Sequence, residues 1–222
     1  SSSEEWAEDF ERFTFFGDIY VEGNAWQYLW FVPHDIPGLA ELMGGVEVFL
    51  ARLDHFFAET AAWTDELLPP SHYFHGNEPG FLIPWLYSMV GRPASTAYWV
   101  RWVMDNEYRL GPEGLAGNDD GGALASWYVF AALGFYPLPC SERYVLGSPR
   151  VEKASLSVLG VDLELTVENQ SETRPYVKQV FLNGEELHEP WLTIEQLKTG
   201  GELRFIMSEE ATDFGVRGRR AL

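Results

Sequence analysis

Ala123-Leu124-Ala125-Ser126-Trp127-Tyr128-Val129-Phe130-Ala131-Ala132-Leu133-Gly134-Phe135-Tyr136-Pro137-Leu138-Pro139 marks the one place where the texture of the chain changes. Upstream of it, from about Asn24, apolar segments recur at helical spacing between Gly/Pro punctuation: 24–32, 37–43, 45–58, 79–90, 94–108 and finally 123–134. Pro93 at a first helical turn after Gly91, with Ser71 and Asn77 at cap positions, sets the boundaries. Downstream of Pro137 and Pro139 the runs become short and alternating, at 155–159, 161–167, 176–182 and 202–207, with a turn at Asn183-Gly184. The fold class that follows is mainly α with a β module. Residues 1–139 form the helical part and 140–222 an antiparallel β-sheet region. Helices arriving in pairs with short connections are what an α/α-hairpin barrel produces. Six segments are too few to close a twelve-helix barrel, so the remaining helices are expected upstream of Ser1 in a longer chain.

Composition bounds the function. The 222 residues are 46% hydrophobic and 15% aromatic, which makes the chain globular and gives it a substantial core. Nine Trp suit either a packed helical core or the stacking of sugar rings, with core packing the default for most of them. A formal charge of −19, from 34 acidic and 15 basic side chains, opposes phosphate backbones and anionic lipid surfaces; nucleic acid and membrane are not expected partners. Cys140 is the single cysteine, so neither an internal disulfide nor a multi-cysteine zinc site can form. No run of 18 apolar residues is present. The opening Ser1-Ser2-Ser3 and the aromatic stretch Trp6, Phe10, Phe13, Phe15 and Phe16 read as something cut from a longer protein.

Three polar clusters interrupt the apolar texture where loops meet helices. The first runs from Gly17 through Asp18, Glu22 and Asn24 to Trp26-Gln27-Tyr28, followed by Trp30 and Pro33-His34-Asp35. The second is His75-Gly76-Asn77-Glu78-Pro79, and the third Gly117-Asn118-Asp119-Asp120-Gly121-Gly122 ahead of Ser126-Trp127-Tyr128. Together they supply separated carboxylates, amides and aromatics, the inventory of glycoside hydrolysis: one carboxylic acid protonates the departing oxygen while a second carboxylate activates water or attacks C1. Glu22 beside Trp26 is the candidate acid, because an apolar wall disfavours the ionised form. Asp120 is the candidate base, on a tight glycine-flanked loop that exposes it.

Each feature also has a plainer reading. Glu22 could be a surface charge beside a helix cap, and 118–121 an ordinary acidic turn. That turn does not match a calcium-binding helix–loop–helix pattern, since no acidic residue closes the loop. His75 and Glu78 could cap a helix start, His34-Asp35 could be a local turn, and His55 a core or rim histidine.

The combination is more specific than its parts. Glu22-Gly23-Asn24-Ala25-Trp26-Gln27-Tyr28, Phe31-Val32-Pro33-His34-Asp35 and Leu39-Ala40-Glu41-Leu42-Met43-Gly44-Gly45 resemble the catalytic domain of glycoside hydrolase family 92. Gly76-Asn77-Glu78-Pro79, Pro84-Trp85-Leu86-Tyr87, the block 114–122, Ala125-Ser126-Trp127-Tyr128-Val129-Phe130, Ala132-Leu133-Gly134-Phe135-Tyr136-Pro137 and Gly147-Ser148-Pro149 follow in the same order. The resemblance spans roughly residues 17–208.

It implies a calcium-dependent exo-α-mannosidase that works with inversion, on a fold joining an N-terminal β-sandwich to an α/α barrel with further β-structure near its end. This chain would hold the later barrel helices and the terminal β region. By position, Glu22 matches the general acid and Asp120 the general base; Asn118 stands where a second acidic residue is common, which favours Asp120 as sole base. Asn77, Glu78 and Asp120 are the implied calcium ligands, with Trp26, Gln27, His75, Asp119 and Trp127 implied at the sugar. Members selective for α-1,2 bonds are expected to carry an acidic residue after the histidine, where this chain has Gly76. The implied substrate is a mannose-containing oligosaccharide or glycoprotein glycan, and the implied compartment secreted or periplasmic. The competing readings are a non-catalytic carbohydrate-binding homologue, disfavoured by retention of both Glu22 and Asp120, and an inverting phosphorylase, disfavoured by the lack of a basic cluster to hold phosphate.

Overall fold

A computed structural model describes residues 14–16, 20–63 and 72–216. Ser71, Asp18 and the aromatics at positions 6, 10 and 13 lie outside the described residues. The chain begins with β1 (Thr14–Phe16) paired antiparallel to β2 (Val21–Gly23). Helices α1 (Ala25–Tyr28), α2 (Ile36–Leu42) and α3 (Val46–Ala61) follow.

In α3 the buried residues are Phe49, Leu50, Leu53, Phe56, Phe57 and Thr60, a single stripe at three- and four-residue spacing. Gly44 and Gly45, both with φ near +105°, make the entry turn that a side chain would strain. The described chain resumes at residue 72 and reaches α4 (Leu86–Met89), α5 (Pro93–Asn106) and α6 (Ala123–Leu133). Segment 79–90, expected as one helix, is instead two 3-10 turns, Glu78–Gly80 and Ile83–Trp85, leading into the four-residue α4. Pro84, inside the segment, is the reason: it lacks the N–H that a continuous helix needs there, whereas Pro79 stands at the first turn, where none is needed. Segment 24–32 likewise shortens to the single turn of α1.

The rest is β-structure: β3 (Phe135–Pro137), β4 (Arg143–Leu146), β5 (Lys153–Val158), β6 (Val161–Glu168), β7 (Tyr176–Leu182), β8 (Glu185–Leu187) and β9 (Trp191–Thr193), then the short helix α7 (Ile194–Leu197) and β10 (Gly201–Ser208). Strands β3, β4 and β9 make one sheet, and a five-stranded sheet runs β5-β6-β10-β7-β8. Asn183 and Gly184, at φ 52° and 84°, form the left-handed turn joining β7 to β8. The expectation of an antiparallel region needs one correction. Strand β10 enters between β6 and β7 and runs parallel to β6, with Gly201 opposite Leu163, so the sheet is mixed. Alternation tells which face of a strand is buried; it carries no sign of which way the neighbour runs.

Two apolar clusters hold these layers. The helical one centres on Trp30, Trp85, Trp127, Tyr73, Tyr87, Phe49, Phe56 and Phe57, all essentially without solvent contact. Each such side chain contributes roughly 1.5–3 kcal/mol by burial. The second gathers Leu163, Leu165, Val180, Leu203 and Phe205 from the five-stranded sheet with Phe135, Leu146 and Leu192 from the smaller one. Phe130 and Leu133 of α6 also pack on this second cluster, so α6 serves both layers. Arg101 of α5 bonds to Ser148 Oγ at 2.8 Å, Pro149 O at 2.8 Å and Ser171 O at 3.1 Å, riveting the helices to the β module. An ion pair between Arg150 and Asp105 stands beside it.

Candidate active site

The three polar clusters, far apart in sequence, meet at the loop 75–79. Asn77 Nδ2 donates to the carbonyl oxygen of Glu22 at 2.9 Å, which ties the second cluster to the first. Gly76 and Gly117 touch backbone to backbone: a Cβ on Gly117 would lie 2.6 Å from Gly76 O and 2.8 Å from Gly76 Cα. That contact ties the second cluster to the third.

Glu22 is half-buried on β2 with φ +51°, a left-handed conformation costing about 1–2 kcal/mol for a residue with a Cβ. Both carbonyls around it are pinned, Val21 O by the Tyr28 hydroxyl at 2.7 Å and Glu22 O by Asn77. A Cβ on the following Gly23 would sit 2.8 Å from Gln27 Oε1 and from the Tyr28 ring, so α1 packs straight against the turn. Asn24 caps α1 through Oδ1 to Gln27 N at 3.1 Å, and Gln27 is buried there.

Asp120 also has positive φ, +47°, and Gly121 and Gly122 continue the left-handed run at 69° and 96°. Its carboxylate is exposed and has no protein partner among the described residues. Asp119 differs. Its Oδ1 accepts from Ala125 N at 2.9 Å and its carbonyl from Gly122, Ala123 and Leu124, so it organises the start of α6.

Three residues expected at the sugar are core residues instead. His75 is 0% exposed: Nδ1 meets the Tyr73 hydroxyl at 2.6 Å and Nε2 meets the Tyr108 hydroxyl at 2.5 Å. Tyr108 donates its own proton to Leu124 O at 2.9 Å, so the His75 Nε2–H must donate to Tyr108 and Nδ1 accept from Tyr73. Burial drives the imidazole down to about 3, keeping it neutral. Trp127 is 1% exposed, donates to Phe81 O at 2.9 Å and packs edge-on to His75. Gln27, 4% exposed, packs under Gly23. Trp26 is half-buried against His72 and His55, and with Glu47, Val48, Ala51, Arg52 and His55 it lines an open groove of about 430 Å³ on α3. Neither Glu22 nor Asp120 lines that groove. His55 is thus a rim residue, and Asp35 a cap, accepting from Gly38 N at 2.9 Å.

The calcium ligands named from the sequence fit in chemistry and only partly in number. Glu78 and Asp120 are exposed carboxylates on the two loops that Gly76 and Gly117 bring into contact, the hard oxygen donors such a cation takes. Asn77 Oδ1 already accepts from Glu78 N at 3.1 Å. Among the described residues no three His, Cys, Asp or Glu gather into a metal cluster.

Gly76 carries its own geometric message. A Cβ there would fall 2.3 Å from Phe74 Cζ and 2.8 Å from Ala116 O, so the ring of Phe74 fills the space a longer side chain would need.

Sequence reading missed Tyr73, Tyr108 and Glu107. Glu107, at the end of α5, is raised to about 7 by burial against the opposing pull of Arg109. Nothing in Asn106-Glu107-Tyr108 distinguishes it from a solvated helix end. The sign of the effect is set by a folded value above the unfolded 4.5: the ionised carboxylate destabilises the fold above about pH 7, and the penalty fades as pH falls toward 4.5. Glu107→Gln is therefore expected to stabilise the full-length protein by about 1–2 kcal/mol at pH 8 and by little at pH 5. Urea unfolding at the two pH values reads the difference; an equal gain at both would exclude the buried-carboxylate explanation.

The catalytic-domain model of glycosyl hydrolase family 92 matches residues 1–209. The chain belongs to that family. Among solved structures, a family GH92 α-mannosidase from Bacteroides thetaiotaomicron in complex with mannoimidazole superposes with a TM-score of 0.81 at 34% identity, over 90% of this chain and 27% of that one. A family GH92 inverting mannosidase from the same organism gives 0.78 at 35% identity, over 94% and 30%. An uncharacterized secreted glycosidase of Arthroderma benhamiae is 31% identical over 199 residues, 88% of this chain and 24% of its own length. The chain thus spans about a quarter to a third of the family 92 proteins it matches. No helix among the described residues is long and apolar enough to cross a membrane.

Proposed function

We propose that this chain is the acid- and base-bearing part of a calcium-dependent exo-α-mannosidase that hydrolyses terminal α-mannosides with inversion, Glu22 serving as general acid and Asp120 as general base. The observation that carries the reading is the meeting of the two segments that bear Glu22 and Asp120, each a positive-φ residue followed by glycine, on the one loop 75–79 through the Asn77 bond to the Glu22 carbonyl and the Gly76–Gly117 contact. The likeness to a family 92 inverting mannosidase supports the stereochemistry.

In this mechanism the Glu22 carboxylic acid gives its proton to the glycosidic oxygen as the C1–O bond breaks. Asp120 takes a proton from a water that attacks C1 on the opposite face, and the product leaves as the β-anomer. Two carboxyls about 6.5–9.5 Å apart leave room for that water. A calcium ion held by Glu78 and Asp120, with Asn77 as third ligand, would supply positive charge beside the sugar hydroxyls. Neutral His75, bonded to Tyr73 and Tyr108, holds the loop that joins acid to base rather than touching sugar. The rest of a longer polypeptide, including an N-terminal β-sandwich, would complete the pocket, and a secreted or periplasmic location suits a glycan substrate.

The test is mannose release by the full-length protein from α-1,2-, α-1,3-, α-1,4- and α-1,6-linked mannobioses, with calcium and with a chelator. Calcium-dependent release from at least one is expected; with Phe74 in the space beside Gly76, α-1,2 is not expected to be the preferred linkage. Absence of release from all four, with the protein folded and calcium present, would favour a carbohydrate-binding homologue.

A further inference from the structure

Resting on the assignment of Glu22 as acid, we propose that Asn77 is a positioning residue whose amide hydrogen bond to the Glu22 backbone aims the acid at the glycosidic oxygen. Its carboxamide is engaged at both ends: Oδ1 accepts from Glu78 N at 3.1 Å, and Nδ2 donates to Glu22 O at 2.9 Å. These two contacts differ in what they require. The first needs only an oxygen, which aspartate, serine or threonine would also provide. The second needs a donor at this reach, which the asparagine amide supplies and an ionised aspartate does not.

The partner is also the strained one. Glu22 sits at φ +51° on a short strand, and its side-chain direction depends on keeping that backbone turned. The Tyr28 hydroxyl fixes the preceding carbonyl, Val21 O. Asn77 fixes the carbonyl of Glu22 itself, and it comes from the loop whose neighbour Gly76 touches the Asp120 loop at Gly117. The amide therefore sets the acid relative to the base. A simple metal-ligand role for Asn77 predicts something different, because a cation reads only the oxygen.

Asn77→Asp separates the two. It keeps the cap oxygen and offers a cation a better ligand, but replaces the donor facing Glu22 O by a second oxygen. In the full-length protein kcat on a mannobiose is expected to fall roughly 30- to 100-fold with KM within about twofold, as for a displaced catalytic group. Calcium half-saturation should be unchanged or tighter. On an activated aryl α-mannoside, whose leaving group needs little protonation, the loss should shrink to a few-fold. Asn77→Ser, too short to reach Glu22, should show the same loss and the same dependence on leaving group when assayed at saturating calcium, and guards against a folding defect peculiar to Asp. Equal losses on both substrates, rescue by excess calcium, or unchanged kcat would each overturn the proposal. Glu22→Gln run alongside keeps the failures apart. If it still cleaves the mannobiose, the acid assignment is at fault; if it is inactive while Asn77→Asp is normal, only the role of Asn77 falls.

Discussion

Glu22→Gln in the full-length protein is expected to lower turnover of an α-linked mannobiose by about three orders of magnitude, while an activated aryl α-mannoside loses far less. The asymmetry follows from what an acid does. A sugar alkoxide is a poor leaving group and must be protonated as the bond breaks; a nitrophenolate leaves without help. The glutamine keeps the volume and the turned backbone at φ +51°, so the contacts of Asn77 and Tyr28 with this strand remain. Thermal stability should therefore hold. A loss of equal size on both substrates would point to substrate binding or folding rather than proton transfer.

Gly117→Ala, which alters neither carboxylate, is expected to lower kcat by about a hundredfold. The added Cβ would lie 2.6 Å from Gly76 O and 2.8 Å from Gly76 Cα. Both are backbone atoms, so no side chain can swing aside. Nor can loop 75–79 retreat freely, because His75 is locked between Tyr73 and Tyr108 and Asn77 to Glu22. The two loops must part by several tenths of an ångström, and acid and base part with them. Steady-state kinetics on the mannobiose and the activated substrate distinguish this from damage to one group alone. Displacement of the base relative to the acid should slow both substrates, unlike Glu22→Gln. Wild-type kinetics would show that the loop contact is incidental.

The larger elements were legible because they rest on local rules. Helix α3 follows from the spacing of Phe49, Leu53, Phe56 and Phe57, α5 from Pro93 at its start, and the β7–β8 turn from Asn183-Gly184. The same rules overreach where one residue type overrides the pattern. Pro84 breaks 79–90 into 3-10 turns although its apolar content is helical. The parallel pairing of β6 with β10 depends on a partner far along the chain, and no local signal encodes it.

At the candidate site, residue type gave no sign of depth. His75 and Trp127 belong to polar and aromatic motifs, yet both lie in the core, where burial is decided by what packs over them. Asp119 and Asp120 are adjacent and identical in sequence, and only the backbone separates a cap from a free carboxylate. The crossing of Gly76 with Gly117 joins residues whose closeness no spacing suggests.

That pair of aspartates supplies the most direct measurement of the central claim: turnover of mannobiose and activated aryl α-mannoside by Asp120→Asn and Asp119→Asn in the full-length protein. Asp120→Asn is expected to lose about a thousandfold on both substrates, since water attack is required whatever the leaving group, and to keep its thermal midpoint. Asp119→Asn should retain most activity and lose about 1 kcal/mol of stability through its weakened bond to Ala125 N. The reverse pattern, with Asp119→Asn inactive and Asp120→Asn active, would contradict the assignment of the base.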